Sequence, residues 1–207
     1  MHTRVKVCGI TRQEDGFAAA NLGVDTIGFV FYRSSPRYID ANSASQIATA
    51  LPPFVSTVGL FVNAVVADVV NTLQNIRLNY LQFHGEESPE YCAQFGVPYL
   101  KAIRVKPGVD LLQYATSFRA AKGLLLDGYV EGTYGGTGQR FDWQLIPANL
   151  PLPVILSGGL GPDNVASAIE SVRPWAVDVS SGVEAAKGIK DADKIKQFMR
   201  GVRNADV

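Results

Sequence analysis

Eight short apolar segments with strand-like composition alternate with helix-compatible segments along this chain. The strand-like segments read VKVCGI, TIGFVFY, VSTVGLFV, YLQFHG, YLKAIRV, GLLLDG, LPVILSGG and AVDVSSG. The helix-compatible segments that follow them read QEDGFAAANLG, NSASQIATAL, AVVADVVNTLQNI, SPEYCAQFG, GVDLLQYATSFRAA, DWQLIPANL, PDNVASAIESV and DADKIKQFMRGVRN. Two parallel strands need a crossover of about a dozen or more residues, so the alternation predicts parallel pairing. Eight such units close into an α/β fold, the (β/α)8 TIM barrel.

The length of 207 residues is at the short limit for this barrel, so we expect one barrel domain over residues 1–207. An open doubly wound sheet is the alternative. Its dinucleotide-binding turn, G-x-G-x-x-G, is missing after the first strand, where the chain reads CGITRQEDG. Local signals fit the proposed helices: Ser88-Pro89 and Pro162 are typical of helix starts, and Gly23 and Gly96 of helix ends.

Composition limits the partners and the compartment. Lys and Arg number 19, as do Asp and Glu, so the chain lacks the basic surface typical of nucleic-acid binding. No apolar run is long enough to cross a membrane, and the opening MHTRVKVCGIT lacks the segments of a secretory signal. We expect a cytoplasmic protein in which Cys8 and Cys92 remain thiols, and a small anion as its partner.

Polar residues gather where the predicted strands end. In a (β/α)8 barrel the active groups come from the carboxyl ends of the strands and from the loops after them. Here those positions hold Cys8, Arg37, His84, Asp127 and Asp178. We therefore expect the functional site at this end of the barrel.

Two glycine-rich loops predict a phosphate site. The seventh strand is followed by Ser157, Gly158 and Gly159, and the eighth by Ser180, Ser181 and Gly182, with a short helix expected at Val183. Glycines let backbone N–H groups converge on an anion, and this fold commonly binds phosphate after strands seven and eight. The alternative is that the glycines only turn the chain.

Three further side chains each have two interpretations. Arg37 could hold a carboxylate with two parallel hydrogen bonds, or be a solvated arginine in the turn SSPR. His84 could contact the substrate or be a hydrogen-bonded residue at the end of a strand. Cys8 could be reactive or only a packed thiol, whereas Cys92 lies in a predicted helix and is interpreted as packed.

The segments KVCGITR, GFVFYRSSPRYI, VGLFV, QFHGEE, LLLDG with GGTGQRFDW, LSGGLGPDNV and VDVSSGVE together resemble the signature segments of phosphoribosylanthranilate isomerases, in order, over about residues 5–185. The resemblance implies a (β/α)8 enzyme of tryptophan biosynthesis that isomerises N-(5-phosphoribosyl)anthranilate to 1-(2-carboxyphenylamino)-1-deoxyribulose 5-phosphate. Two positions depart from the family pattern: QFHG replaces the commoner QLHG, and Gln139 stands where a charged residue is frequent.

The resemblance also implies roles for single residues. Cys8 matches the general base, Asp127 the general acid, and Arg37 the group that contacts the anthranilate carboxylate. The loops after strands seven and eight match the phosphate site. The substrate-binding set implied is His84, Gly136, Gly138, Asp178 and the serines and glycines of those two loops. No cofactor and no metal is expected, the partner is the small-molecule substrate, and the chain is a monomer or a homodimer.

The implied reaction, an Amadori rearrangement, needs one acid and one base on a short stretch of sugar. At about pH 7 an ordinary aspartate is ionised and an ordinary thiol is protonated, which is the reverse of what the reaction requires. We therefore hypothesise that Cys8 and Asp127 share one proton and titrate as a coupled pair.

Competing interpretations remain at this point. An isomerase of another phosphorylated aminoaldose, or a barrel that binds a phosphoribosyl ligand without catalysis, would carry the same phosphate loops. A ribulose-phosphate epimerase needs metal ligands that His2 and His84 do not provide, and the isomerase of histidine synthesis would be expected to use two aspartates. Cys8 in the first strand argues against the epimerase and the isomerase of histidine synthesis, and the presence of both Cys8 and Asp127 argues against the barrel without catalysis.

Overall fold

A closed barrel of eight parallel strands forms the centre of the protein, whose computed structural model describes residues 2–128 and 141–206. The strands are β1 (Arg4–Cys8), β2 (Thr26–Val30), β3 (Ser56–Phe61), β4 (Tyr80–Phe83), β5 (Tyr99–Val105), β6 (Gly123–Gly128), β7 (Val154–Leu156) and β8 (Ala176–Val179). Each strand pairs in parallel with the next, and β1 also pairs with β8, which closes the barrel. The predicted (β/α)8 fold is confirmed.

Seven helices surround the strands in the described part of the chain. They are α1 (Gln13–Asn21), α2 (Ala41–Ala50), α3 (Val66–Asn75), α4 (Pro89–Ala93), α5 (Leu111–Ser117), α6 (Val165–Val172) and α7 (Ala192–Ala205). After β8 the chain forms a short 3-10 turn, Ser181–Val183, and then an antiparallel hairpin of β9 (Glu184–Ala186) and β10 (Ile189–Lys190). Ser88 caps α4 through its side chain and Pro89 begins that helix, as predicted.

Two helix predictions were wrong. DWQLIPANL forms only a 3-10 turn, Trp143–Leu145, because Pro147 disfavours helical geometry at the preceding Ile146, which is extended. Pro162 does not begin α6, which starts at Val165. The intervening residues form a turn in which Asn164 accepts a hydrogen bond from the N–H of Gly161 at 2.9 Å.

The main apolar core lies between the barrel and its helices. Outward-facing residues of the strands, such as Val7, Phe29 and Leu156, pack there against apolar residues of α6 and α7, and Phe83 and Leu124 belong to a second cluster on the other side. Side chains alternate between the two faces of a strand, so other residues face the inside of the barrel. These inward-facing positions can therefore hold small and polar side chains near the site.

Candidate active site

The predicted acid and base lie at the carboxyl end of the barrel. Cys8 is the last residue of β1, Asp127 is the last but one of β6, and His84 follows β4 directly. Asp178 lies within β8. All four side chains are buried, and Asp178 interacts electrostatically with the other three. Parallel strands place their carboxyl ends at one rim, which is why residues so distant in the chain meet here.

The Cys8 thiol is held in its protonated form. Burial raises the pKa of Cys8, and the nearby Lys6 ammonium counteracts only part of that effect. Cys8 forms no disulfide, and neither does Cys92. Cys92 is a residue of α4 whose side chain is buried in an apolar cluster, and this burial raises its pKa to about 12. A thiol with so high a pKa is inert, which agrees with the interpretation of Cys92 as a packed residue.

Asp127 has two close polar neighbours. Its Oδ1 accepts a hydrogen bond from the N–H of Gly128 at 2.8 Å. Its Oδ2 lies 3.2 Å from Nε2 of His84, although the two groups are not aligned as a hydrogen bond. The amide of Gln82, fully buried, lies 3.0 Å from Nδ1 of the same imidazole. His84 is therefore fixed at one ring nitrogen and has the other beside the carboxylate of Asp127.

A buried ion pair lies directly below this rim. Nζ of Lys6 is 2.9 Å from Oδ1 of Asp178, and both side chains are almost inaccessible to solvent. Burial lowers the pKa of Lys6, but the Asp178 carboxylate more than offsets this, so the pKa of Lys6 is raised and the ammonium form persists. Oδ2 of Asp178 lies 3.5 Å from Oγ of Ser157. Sequence reasoning missed Lys6, although a lysine two residues before Cys8 must face the same side of its strand.

Arg37 is not a solvated loop arginine, because its side chain is buried in a network of charges. Nε and Nη2 donate to the two carboxylate oxygens of Glu184 at 2.7 and 2.8 Å, the bidentate geometry typical of this pair. Lys190 lies 2.8 Å from the same carboxylate. Gly9, at a φ of 77°, allows the approach: a Cβ there would be 2.6 Å from Cδ of Arg37. The third nitrogen, Nη1, has no protein partner among the described residues. Glu184 and Lys190 were missed in the sequence.

The two glycine-rich loops touch each other. Gly158 and Gly159 have φ values of 85° and 66°, which other residues rarely adopt. Gly182 packs so closely on the first loop that a Cβ there would lie 2.0 Å from the carbonyl oxygen of Leu160. The short helix expected at Val183 is the 3-10 turn that contains it. This contact explains why the second loop needs glycine at that position.

The loops also present unused donors. Among the described residues, no backbone hydrogen bond uses the N–H groups of Gly158, Gly159, Ser181 or Gly182. Oγ of Ser180 donates to the carbonyl oxygen of Cys8 at 3.0 Å, which ties the second loop to the end of β1. Converging N–H groups of this kind can bind an anion such as phosphate. They lie next to Cys8.

Some of the predicted site residues lie outside the part of the chain that the structure describes. Gly136 and Gly138, predicted to bind the substrate, lie outside the described residues, as does Gln139. Within residues 2–128 and 141–206, no helix is long and apolar enough to cross a membrane. The same residues contain no group of three or more His, Cys, Asp or Glu side chains arranged to hold a metal ion.

Comparison with known proteins gives consistent findings. Residues 5–201 match the family model described as N-(5'phosphoribosyl)anthranilate (PRA) isomerase. An N-(5'-phosphoribosyl)anthranilate isomerase of Nitrosospira multiformis is 61% identical over 202 residues, which cover 98% of this chain and 97% of that protein.

Solved structures are also similar to this chain. A crystal structure of phosphoribosyl anthranilate isomerase in complex with reduced 1-(o-carboxyphenylamino)-1-deoxyribulose 5-phosphate has a TM-score of 0.87 at 41% identity, covering 98% of this chain and 99% of that one. A structure of monomers generated from the dimeric isomerase of Thermotoga maritima has a TM-score of 0.87 at 40% identity, with the same coverage.

Proposed function

The chain belongs to the N-(5'-phosphoribosyl)anthranilate isomerase family, and we propose that Cys8 is the general base and Asp127 the general acid of its reaction. The enzyme converts N-(5'-phosphoribosyl)anthranilate into 1-(2-carboxyphenylamino)-1-deoxyribulose 5-phosphate, a step of tryptophan biosynthesis. One observation carries the assignment of roles: a thiol and a carboxylic acid lie buried at the same rim of the barrel, beside loops with unused N–H donors.

The acid acts first. The Asp127 carboxyl group donates its proton to the ring oxygen of the ribose as the bond between that oxygen and C1' breaks. The lone pair of the anthranilate nitrogen forms the new double bond to C1', giving a protonated Schiff base. Asp127 is left as a carboxylate, next to the imidazole of His84 at 3.2 Å. His84 lies where it can stabilise that new negative charge.

The base acts second. The Cys8 thiolate removes the proton from C2', and the electrons of the C–H bond form the enolamine between C1' and C2'. Tautomerisation moves the hydroxyl proton of C2' to C1' and leaves the ketone. One proton has then passed from Asp127 to Cys8 in net terms, and its return restores the enzyme. The reaction consumes no other reactant.

The starting protonation state is the minor one. Burial raises the pKa of Cys8, so the free enzyme holds the thiol mostly protonated. The reaction starts from thiolate and carboxylic acid, an arrangement reached by moving one proton between Cys8 and Asp127. We therefore keep the hypothesis that the two groups share a proton and titrate together.

Two anions of the substrate have matching sites. The phosphate fits the N–H groups of the loops after β7 and β8, with Ser180 and Ser181 beside them. The anthranilate carboxylate fits Nη1 of Arg37, whose other two donors are fixed by Glu184. The rigid pair orients the guanidinium before the substrate arrives, which lowers the entropy lost on binding.

The test is turnover of freshly made substrate, followed by the loss of its fluorescence, in wild type, Cys8→Ser and Asp127→Asn. Both variants should lose at least about a thousandfold in kcat, within the range that acid-base groups contribute. Both should still bind the reduced product analogue with wild-type affinity, since neither side chain donates to the phosphate or to the carboxylate in the proposed sites. Turnover by either variant at more than about a tenth of the wild-type rate would remove that residue from its role.

We also propose a homodimer and a cytoplasmic location. Phe54 is fully exposed at the amino-terminal end of the barrel, with a φ of 70°, and lines a cavity of about 370 Å³ together with the half-exposed Trp175. We expect a second copy of this chain to cover Phe54 and the cavity, because a twofold-symmetric dimer brings the same surface of both copies together. The relative from Thermotoga maritima is described as dimeric. Free thiols at Cys8 and Cys92 suit a reducing compartment.

Sedimentation decides the oligomeric state. We expect a dimer in wild type and a monomer in Phe54→Ser that keeps its activity, since the site lies at the opposite end of the barrel. A wild type that sediments as a monomer at micromolar concentration would contradict the homodimer.

A further inference from the structure

The ion pair between Lys6 and Asp178 lies beside the base. Lys6 and Cys8 are two residues apart on β1, so their side chains share the inward face of the barrel. Facing them on β2 is Gly28, where a Cβ would lie 2.9 Å from Sγ of Cys8 and 3.2 Å from Cε of Lys6. The glycine leaves room for both side chains on one surface. The ammonium of Lys6 therefore acts on the thiol from within the barrel.

The same ion pair also reaches the acid. Asp178 lies 2.9 Å from Lys6, and its carboxylate interacts with the charges of Asp127 and His84. Two carboxylates in a buried site repel each other when both are ionised, so the second one tends to keep a proton. The Lys6 ammonium at 2.9 Å favours the carboxylate form of Asp178 against the opposing effect of burial, and an ionised Asp178 makes a second negative charge on Asp127 less favourable. The pair thus has its positive group next to the base and a negative group near the acid.

We propose that Lys6 and Asp178 are positioning residues that set which of the two reacting groups carries the shared proton. Lys6 stabilises the Cys8 thiolate, and Asp178 favours the protonated form of Asp127. One proton moves from Cys8 to Asp127 and none is gained or lost. This inference rests on the proposed roles of Cys8 and Asp127, and it explains how a buried site reaches the reactive protonation state.

Other charges face the thiol and must be counted. Arg37, from the loop after β2, and Lys190, from β10, both interact electrostatically with Cys8. Both of these cations are already bound to the carboxylate of Glu184, which neutralises much of their effect. Lys6 is the cation with the largest influence on Cys8, and both side chains lie over Gly28 on the same face of the barrel.

The experiment is a thiolate titration by ultraviolet absorbance in a Cys92→Ser background, with Cys8→Ser subtracted as the blank. Lys6→Met should raise the apparent pKa of Cys8 by at least about one unit, which lowers the thiolate fraction near neutral pH about tenfold. Asp178→Asn should act in the opposite direction by about the same factor, because Lys6 then takes the thiolate as its counter-ion. The matched control is Lys101→Met, which breaks another buried ion pair, between Lys101 of β5 and Glu87 at 2.8 Å. It should leave the titration of Cys8 unchanged.

The pH profile of kcat/KM links the titration to catalysis. In Lys6→Met the reactive form with a thiolate and a carboxylic acid becomes rarer, so the plateau of kcat/KM should fall by the same factor as the thiolate fraction, while the reduced product analogue binds with wild-type affinity. A structural role for the ion pair would change stability in both variants without opposite shifts of the thiol. Equal or same-direction shifts in the two variants would overturn the proposal.

Two further outcomes separate this proposal from the proposed function. If Cys8→Ser keeps its activity, the assignment of the base fails, whatever the titrations show. If Cys8→Ser is inactive and Lys6→Met titrates as wild type, only the role of Lys6 fails. If Lys6→Met does not fold, Asp178→Asn alone tests the proposal. A thiolate fraction of Cys8 in Asp178→Asn at or below that of wild type would contradict it.

Discussion

The contact between the two glycine-rich loops makes a quantitative prediction for Gly182→Ala. A Cβ at this position would lie 2.0 Å from the carbonyl oxygen of Leu160 and 3.0 Å from Cα of Gly161. Atoms of these kinds do not approach closer than about 3 Å, so the loops must separate by roughly 1 Å. Overpacking of this kind costs about 1–3 kcal/mol. For a chain of 207 residues, each kcal/mol lowers Tm by about 2–4 °C.

The same movement should weaken phosphate binding. Separating the loops displaces the N–H groups of Ser181 and Gly182 from those of Gly158 and Gly159, so that they no longer converge on one anion. A hydrogen bond to a charged group is worth about 1.5–3 kcal/mol. Loss of one such bond raises the Kd of the reduced product analogue about 10- to 150-fold.

Calorimetry of analogue binding and thermal unfolding measure both effects, and the chain supplies its own control. In Gly161→Ala the new Cβ would have its nearest neighbour, the carbonyl oxygen of Gly182, at 3.8 Å, which is an ordinary contact. Gly161→Ala should therefore bind the analogue and unfold as wild type does. If Gly182→Ala matches it in both measurements, the contact between the loops does not shape the phosphate site.

Three other predictions follow from single contacts. Glu184→Gln removes the charge that fixes Arg37, so we expect KM to rise about tenfold while kcat changes less than about threefold in steady-state assays. Asp40→Ala removes the cap of α2 and should lower the free energy of unfolding in urea by about 1 kcal/mol. The N–H and hydroxyl of Ser43 lower the pKa of Asp40, so the stability that the cap contributes is present above the ordinary pKa range of aspartate and is lost as the pH falls through the lowered pKa. Cys92, with a pKa of about 12, should resist alkylation in the folded protein at about pH 9 and react fully in denaturant, whereas equal rates would show that its burial is wrong.

The barrel could be predicted because its signal is local. Each strand and most helices are encoded within about ten residues, by alternation, apolar runs and end signals such as Ser88-Pro89. The closure of eight parallel strands then fixes where their carboxyl ends lie. This is why Cys8 and Asp127 could be predicted at one rim from the sequence alone. The failure at DWQLIPANL is also local, since the effect of Pro147 outweighed the apolar spacing.

The ion pairs of the site could not be predicted because their partners are distant in the chain. Lys6 and Asp178 are separated by 172 residues, and Arg37 and Glu184 by 147. Their contact depends on the register of β1 against β8 and on the hairpin after β8, neither of which has a periodic signal. A charged residue inside an apolar strand, as Lys6 is in VKVC, is the one feature that indicates a buried partner.

The pH dependence of kcat/KM tests the central claim most directly, because the account assigns one limb to each reacting group. We predict a bell-shaped profile for wild type, loss of the rising limb in the residual activity of Cys8→Ser, and loss of the falling limb in that of Asp127→Asn. A wild-type profile that is flat from about pH 5 to about pH 9 would contradict proton sharing between Cys8 and Asp127.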